Sequence, residues 1–353
     1  MFKNKSLIIT IIATIIIIEI AAAPKLCIDS AINGALLFFY KVFPSLFPFL
    51  VVSNLILAYD GVFIYSRLFG RFLCRPLGLP EECGFVIIVS MLCGYPLGAK
   101  YSCDLYERGI IKRSTFLRLL NIASNPSPIF IIGTVGISML HNNISGYLLV
   151  FSCYASCAVL GIILPFKEYK KSPCKRNHLF SPVNFGEAIK NSVDNGLSTS
   201  ISIGGFVIIF SVINSYINNL LLSSGIAKNM IIGIIEMTNG CSLISKTNCE
   251  LILKLSLISF ILAFSGMSII AQVYSFAAKY KVPILKYIGL KLFQGVISGL
   301  ITFVLGSFFM AKSSVFTANI VYKSSNSMIQ LFALTLLILP FVFYNIKGLL
   351  KFP

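Results

Sequence analysis

The sequence predicts an all-α polytopic membrane protein with about eight transmembrane helices, two re-entrant segments and an inverted repeat that contains broken helices. The first observation behind this prediction is composition: of 353 residues, 57% are hydrophobic and 12% are charged. The mean hydropathy is +0.89. So few polar side chains cannot cover a soluble globule of this length, and the lipid bilayer has to be the solvent. The other two observations are long apolar runs and the Gly- and Pro-containing interruptions within them.

Eight apolar runs approach the roughly 20 residues that a helix needs to cross the hydrocarbon layer. They cover residues 7–23, 32–58, 119–140, 146–166, 198–222, 255–278, 288–310 and 329–346. The first run follows Lys3 and Lys5 and therefore also has features of a secretory signal. Glu19 within the run and Pro24 directly after it favour an uncleaved helix over a removed signal.

Two shorter apolar segments decide the topology, because each either crosses the membrane once or dips in and returns. They are residues 84–99 and 229–244, and both are interrupted by glycine. If both are re-entrant, the basic loop 100–118 and the basic stretch 167–182 lie on the same side as the two termini. Cytoplasmic loops are enriched in Lys and Arg, so this arrangement places all of them in the cytoplasm.

The polar stretch 167–182 is also the natural boundary between two halves. We divide the chain into an N-terminal transmembrane helix (1–30), a first repeat (31–166), a basic cytoplasmic linker (167–182), a second repeat (183–310) and a C-terminal transmembrane helix (311–353). Each repeat reads as a span, a re-entrant segment, an interrupted span and a further span. Three crossings are an odd number, which inverts the second repeat relative to the first. Chance similarity among apolar helices is the alternative explanation.

Four interruptions lie within apolar segments and free backbone polar groups that lipid cannot satisfy. They are Gly94-Tyr95-Pro96-Leu97-Gly98, Asn125-Pro126-Ser127-Pro128, Thr238-Asn239-Gly240 and Ser265-Gly266-Met267-Ser268. Such breaks persist at membrane depth only where they line a cavity enclosed by protein. A half-helix that begins after Pro128 or Gly266 points its N–H groups and positive dipole end into that cavity, which suits a carboxylate. Ordinary proline kinks and close glycine packing are the alternative.

The polar side chains at these breaks are the candidate site. The candidate substrate-binding residues are Tyr95, Asn125, Ser127, Thr238, Asn239, Ser268 and Gln272. Glu236 lies in an apolar run, and an ionisable group there is costly enough to be a candidate for proton coupling. A solvated mouth of the re-entrant segment is the alternative for Glu236. Lys41 either pairs with an anionic solute or reaches the membrane interface.

Other classes of function fit the residues less well. The net charge is +17, but the basic residues lie between apolar runs and form no continuous stripe, so we expect no nucleic-acid binding. The 10 cysteines form no Cys-x-x-Cys pair and only two histidines are present, so we expect no metal site and no cofactor. Nucleophile-elbow and phosphate-loop motifs are absent, and we expect no enzyme activity. The expected partners are the bilayer and a small anionic solute.

Four ordered blocks carry a resemblance to a known family. They are Gly94-Tyr95-Pro96-Leu97-Gly98-Ala99-Lys100, then Arg118 to Gly133 with Asn125 and Pro128, then Glu236-Met237-Thr238-Asn239-Gly240, and Gly266-x-Ser268 with Ala271-Gln272-Val273. In these blocks the chain resembles the sporulation integral membrane protein YlbJ family, part of a wider group with nucleoside-recognition, or gate, domains. The similarity covers about residues 30 to 310. Pro126, Ser127 and Ser265 depart from the family pattern, which affects the shape of the cavity.

The resemblance implies a role in endospore formation, in which dipicolinate (pyridine-2,6-dicarboxylate) leaves the mother cell through the outer forespore membrane. It also implies a layout similar to concentrative nucleoside carriers, whose hairpins and broken helices hold the substrate. The alternatives are a carrier of a nucleoside-like or other small polar solute and a sporulation membrane scaffold that transports nothing. A homo-oligomer and contacts with other sporulation membrane proteins stay open.

Overall fold

The computed structural model describes residues 2–164, 184–221 and 225–310, and every regular element in these ranges is a helix. The all-α prediction is therefore confirmed for the described residues. The predicted linker 167–182, the predicted C-terminal helix 311–353 and the apolar run 329–346 lie outside them. The described residues up to Ser307 form one compact unit.

The described helices fall into an N-terminal helix and two halves. The N-terminal helix is α1 (Phe2–Ala22). The first half contains α2 (Pro24–Leu37), α3 (Phe43–Ala58), α4 (Gly61–Tyr65), α5 (Arg71–Cys74), α6 (Gly84–Cys93), α7 (Leu97–Glu107), α8 (Arg113–Ile122), the π-helical segment Phe130–Met139 and α9 (Asn143–Ile163). The second half contains α10 (Phe185–Leu220), α11 (Ile226–Ile235), α12 (Met237–Ser245), α13 (Leu251–Phe264), α14 (Gly266–Ala277) and α15 (Ile284–Met310).

The same order of elements occurs in both halves. A long helix comes first, formed by α2 and α3 through a π-helical turn in the first half and by α10 in the second. A helical hairpin follows, which is α6 with α7 (the first hairpin) and α11 with α12 (the second hairpin); the two arms of each hairpin pack against each other. Next comes a broken helix, which is α8 with the segment Phe130–Met139 (the first broken helix) and α13 with α14 (the second broken helix). A closing helix, α9 or α15, ends each half.

Fewer helices are long enough to cross a membrane than the eight apolar runs predict. Among the described residues, four qualify by length and composition. They are Asn143–Ile163, Phe185–Leu220, Leu251–Tyr280 and Ile284–Phe308. A fifth is possible if Leu46–Ala58 and Gly61–Cys74, which meet at 93°, count as one span. The run 119–140 is divided, because residues 123–129 lie between the end of α8 and the segment Phe130–Met139. The eight-span arrangement therefore stays a prediction.

Helix α15 carries its polar residues inside and its large apolar residues outside. Its buried face consists of Tyr287, Lys291, Gln294, Ser298 and Thr302, of which the last four have no exposed surface. Its outer face includes Leu300, Val304 and Phe308, which are 59%, 51% and 71% exposed. In water this distribution would be reversed, whereas in lipid the apolar face is solvated and the polar face is sheltered. The chain is an integral membrane protein.

The two halves pack reciprocally. The second arm of the first hairpin, α7, packs against α14 of the second broken helix. The second arm of the second hairpin, α12, packs against the segment Phe130–Met139 of the first broken helix. The long helix α10 packs along both α2 and α3. Each half therefore completes its packing with parts of the other.

Glycine permits the closest backbone approaches in this arrangement. A Cβ atom on Gly98, in the first turns of α7, would overlap the carbonyl oxygen of Ala123 and lie 2.9 Å from the Cβ atom of Ser90. The obstructing oxygen belongs to the backbone and cannot rotate away. Gly205 in α10 has the opposite environment, because a Cβ atom on it would meet nothing within 4 Å.

We expect Gly98→Ala to destabilise the protein by about 2 kcal/mol or more, because the first hairpin must separate from the Ala123 carbonyl. Gly205→Ala is the matched control and should be neutral or slightly stabilising, since alanine favours helix over glycine. Thermal unfolding of the purified variants in detergent measures both effects. Equal melting temperatures for the two variants would contradict the close approach.

Candidate functional site

The four interruptions converge in the structure. In the first half, the Tyr95 N–H donates to the Asn125 carbonyl at 2.9 Å, which joins the tip of the first hairpin to the first broken helix. In the second half, Gly266 lies against the tip of the second hairpin, because a Cβ atom on it would be 3.1 Å from the Met237 nitrogen. The Tyr95 hydroxyl contacts the Met237 sulfur and so connects the two pairs. We call these four interruptions together the break cluster.

The first broken helix exposes five consecutive carbonyls, and each of them accepts a hydrogen bond. The Ile122 carbonyl accepts from the Asn125 amide and the Cys157 thiol, and the Ala123 carbonyl accepts from the Ser90 hydroxyl. The Ser124 carbonyl accepts from the Lys291 nitrogen, the Asn125 carbonyl from the Tyr95 N–H, and the Pro126 carbonyl from the Tyr154 hydroxyl. Five of these six donors come from outside the broken helix, on the first hairpin, α9 and α15. The interruption in the first broken helix is therefore closed by the protein itself.

The predicted site residues of the first half take part in this closure. The Asn125 amide nitrogen donates to Ile122 at 2.7 Å, and its oxygen accepts from Gln294 at 2.8 Å. The Ser127 hydroxyl accepts from the Phe130 N–H at 3.2 Å and caps the segment Phe130–Met139. Tyr95 is buried against Met237. Asn125 and Ser127 thus have intramolecular partners at the atoms that the sequence analysis offered to a solute.

Glu236 is the N-cap of α12 in the second hairpin. Its two carboxylate oxygens accept from the backbone N–H groups of Thr238 at 3.0 Å and Asn239 at 2.7 Å. The third interruption therefore lies at Glu236, and not at Thr238-Asn239-Gly240, because residues 237–245 are helical. The cap satisfies donors that would otherwise be orphaned at a helix start. The Asn239 amide is partly exposed and makes no side-chain hydrogen bond within the described part of the chain.

The second broken helix is the open part of the break cluster. Its interruption is at Ser265, which adopts φ +78°, and no side chain caps the start of α14. Ser268 and Gln272, both predicted site residues, are 3% and 2% exposed, and the Gln272 amide donates weakly to the Ser268 hydroxyl at 3.4 Å. The Gln272 amide oxygen and the Ser265 hydroxyl are buried without any partner among the described residues. Buried polar atoms normally have a partner, so these two indicate a ligand or water position.

A polar cleft of about 510 Å³ opens close to the first hairpin. It is lined by residues of α3, α7 and α10, including Asn54, Lys100, Asp104, Glu107, Arg108, Asn191, Asn195 and Thr199. Lys100 pairs with Asp104 at 2.7 Å and donates to Asn54 at 3.3 Å. The Lys100 N–H bonds to the Pro96 carbonyl, so the cleft begins one turn from the break cluster. The two basic and two acidic lining residues balance in charge.

Sequence reasoning missed this cleft, although α10 carries a signal for it. Asn191, Asn195 and Thr199 are spaced four residues apart, which places them on one helix face. The same spacing rule identifies the buried polar face of α15, which includes Lys291 and Gln294. The side chain of Lys41 lies outside the described residues.

An ionic contact joins the two halves beside the cleft. Lys279 donates to both carboxylate oxygens of Glu107 at 2.9 Å, and the Tyr280 hydroxyl donates to the same carboxylate at 2.9 Å. These hydrogen bonds, that of Lys279 first, lower the pKa of the Glu107 carboxyl. Arg113 donates to the Tyr280 carbonyl at 2.9 Å. The end of the first hairpin is thus tied to the end of the second broken helix.

No group of three or more His, Cys, Asp or Glu residues in the described ranges is arranged to hold a metal ion.

The capping role of Glu236 leads to a stability prediction. Glu236→Ala removes both acceptors and should cost about 1 kcal/mol, whereas Glu236→Gln keeps one acceptor oxygen and should cost less. Glu187→Ala, at an exposed position in the first turn of α10, is the matched control and should have little effect. Thermal unfolding in detergent ranks the three variants. If Glu236→Ala is no less stable than Glu187→Ala, Glu236 is not a structural cap.

Comparison with known proteins addresses the family. No protein-family model matches the chain. No solved structure shows significant similarity to it. The chain is 26% identical over 309 residues to the sporulation integral membrane protein YlbJ of Bacillus subtilis (strain 168), and the match covers 77% of this chain and 76% of that protein. Together with the four blocks at the break cluster, this similarity supports the assignment of the chain to the YlbJ family of sporulation integral membrane proteins.

Proposed function

We propose that the chain is a membrane carrier for a small anionic solute, with dipicolinate as the solute that the family resemblance indicates. The observation that carries the proposal is the break cluster, where four helix interruptions meet and two buried polar atoms have no partner among the residues that the structure describes. A membrane scaffold has no need of unpaired polar groups at this depth, because each of them destabilises it. A carrier needs such polar groups, because a solute that loses its hydration shell needs other hydrogen-bond partners in place of water.

The second broken helix is where the solute binds in this proposal. The uncapped start of α14 offers backbone N–H groups and the positive end of a helix dipole to one carboxylate. Gln272, Ser268 and Asn239 offer further polar atoms. Dipicolinate carries two carboxylates on a planar ring, and Tyr95 lies close enough to Met237 to contribute an aromatic wall. Few fixed charges bind the solute, which allows its release.

We also propose the inverted arrangement of the two halves. The repeated order of elements and the reciprocal packing of hairpins with broken helices support two copies of one architecture. With re-entrant hairpins, the polar cleft opens to the cytoplasm and receives the solute from the mother cell. The site of action is the outer forespore membrane, and transport runs towards the forespore. Glu236 is the coupling candidate within the site, because protonation would release a helix N–H group from its cap.

A nucleoside-like or other neutral polar solute is the second candidate. The balanced charges of the cleft favour it, because Lys100 and Arg108 are offset by Asp104 and Glu107. The two candidates share the same amides and hydroxyls. Uptake measurements with both solutes separate them.

The proposal is tested by solute uptake into vesicles that contain the purified protein. We expect uptake of labelled dipicolinate, and at least a tenfold loss of uptake in Gln272→Leu, because the Gln272 amide N–H groups, held only by the 3.4 Å contact with Ser268, can donate to a carboxylate. One hydrogen bond to an anion contributes about 1.5–3 kcal/mol. The same variant should melt at the same or a higher temperature, since it removes an unpaired buried oxygen. Ser307→Ala, at a half-buried position near the end of α15, is the control and should transport normally.

Uptake of a nucleoside but not of dipicolinate would replace the first candidate by the second. Absence of uptake of either solute would leave a scaffold role as the better explanation. Normal dipicolinate uptake by Gln272→Leu would remove α14 from the site.

The inverted arrangement predicts which loops face which side. Single cysteines introduced into a cysteine-free protein in intact cells should react with an impermeant reagent at residues 141–145 but not at residues 104–113. Both loops contain exposed residues, so protection cannot result from burial alone. Labelling of residues 104–113 from outside would mean that the hairpins cross the membrane.

A further inference from the structure

A buried lysine lies beside the break cluster and has no acidic partner among the described residues. Lys291 is in the first third of α15, within the membrane-capable stretch Ile284–Phe308, and has no exposed surface. Arg118 is the other charged residue that is buried among the described side chains, but it retains some exposure at 8%. A charged group inside a membrane protein is costly unless something compensates its charge.

The neighbours of Lys291 are neutral acceptors. Its nitrogen donates to the Ser124 carbonyl at the break of the first broken helix and to the Gln294 amide oxygen at 2.8 Å. The titratable groups that face it are the thiols of Cys153 and Cys157 on α9 and, one turn earlier on α15, the Tyr287 hydroxyl. No carboxylate in the described ranges pairs with it.

The hydrogen bonds match the neutral form of the side chain. An ammonium group has three N–H donors, whereas a neutral amine has two donors and one lone pair. Two acceptors are present among the described residues, so both N–H donors of the amine are paired, whereas an ammonium group would leave one donor unpaired. Both the charge cost and the donor count therefore favour the amine.

We propose that Lys291 takes up a proton when an anionic solute binds at the break cluster, so that one proton and the anion occupy the carrier together. This inference rests on the proposed function. The proton comes from the water on the entry side and binds the lone pair of the amine, and the anion itself is chemically unchanged. The anion supplies the negatively charged partner that Lys291 lacks among the described residues. Lys291 donates a hydrogen bond to the Ser124 carbonyl, and Gln294 donates one to the Asn125 amide oxygen. The positive charge therefore develops on a group that is hydrogen-bonded to the first broken helix.

A purely structural role is the competing explanation, in which Lys291 only satisfies the Ser124 carbonyl. Lys291→Gln separates the two roles, because glutamine keeps N–H donors but does not titrate. Lys286→Gln removes an exposed lysine five positions earlier on the same helix and is the matched control. Lys291→Arg keeps a permanent positive charge and provides a second variant if Lys291→Gln does not fold.

The experiment is calorimetric titration of the detergent-solubilised protein with dipicolinate in two buffers of different ionisation enthalpy. The difference in heat between the buffers gives the number of protons bound with each anion. We expect about one proton for the unmodified protein and for Lys286→Gln, with affinity rising up to about tenfold per pH unit as pH falls. Lys291→Gln should bind dipicolinate more weakly, with no proton uptake. Lys291→Arg should bind it without proton uptake.

Three results would overturn the inference. Binding without proton uptake in the unmodified protein would refute it and leave the proposed function intact. Proton uptake that persists in Lys291→Gln or Lys291→Arg would assign the proton to another group, of which Glu236 is the first to test with Glu236→Gln. No binding of dipicolinate by the unmodified protein would refute both the inference and dipicolinate as the solute.

Discussion

The need to satisfy five adjacent carbonyls, those of residues 122 to 126, organises the first half of the protein. Lipid has no hydrogen-bond donors, so an interrupted helix in a membrane depends entirely on donors from its own chain. The first hairpin, α9 and α15 each supply at least one. These elements must therefore keep fixed positions relative to the interruption. Gly98 is required for the same reason, since a larger residue would separate the hairpin from the carbonyls that it serves.

The two halves differ because only one of the two broken helices has its interruption closed by side-chain and backbone donors. The first is sealed by Asn125, Lys291 and their partners and acts as a rigid wall. The second leaves the start of α14 uncapped and the Gln272 oxygen unpaired among the residues that the structure describes. A solute that binds between the two broken helices would contact fixed groups on the first and groups without partners on the second. This asymmetry cannot arise from the repeated order of elements and depends on individual side chains.

Sequence patterns predicted the all-α membrane class and the regions of the helix interruptions, because composition and the positions of Gly, Pro and Asn report directly on both. They did not yield the number of spans, since hydropathy alone does not distinguish one long helix from two short ones such as α8 and the segment Phe130–Met139. The sequence analysis did not identify Lys291, because a single lysine in an apolar run is a weak signal. Its environment is defined by contacts with Ser124 and Gln294, which only the structure shows. The capping role of Glu236 depends on the local chain path, which a motif does not specify.

The reciprocal packing of hairpins and broken helices has a consequence for biosynthesis. A ribosome makes the first hairpin long before α14, against which its second arm packs, and α12 comes long after the segment that it covers. When the first half enters the membrane, the surfaces of its hairpin and broken helix that pack against α14 and α12 therefore have no partner until the second half is made. A truncated chain that ends before α14 would be a substrate for membrane proteases, however well its own half is made.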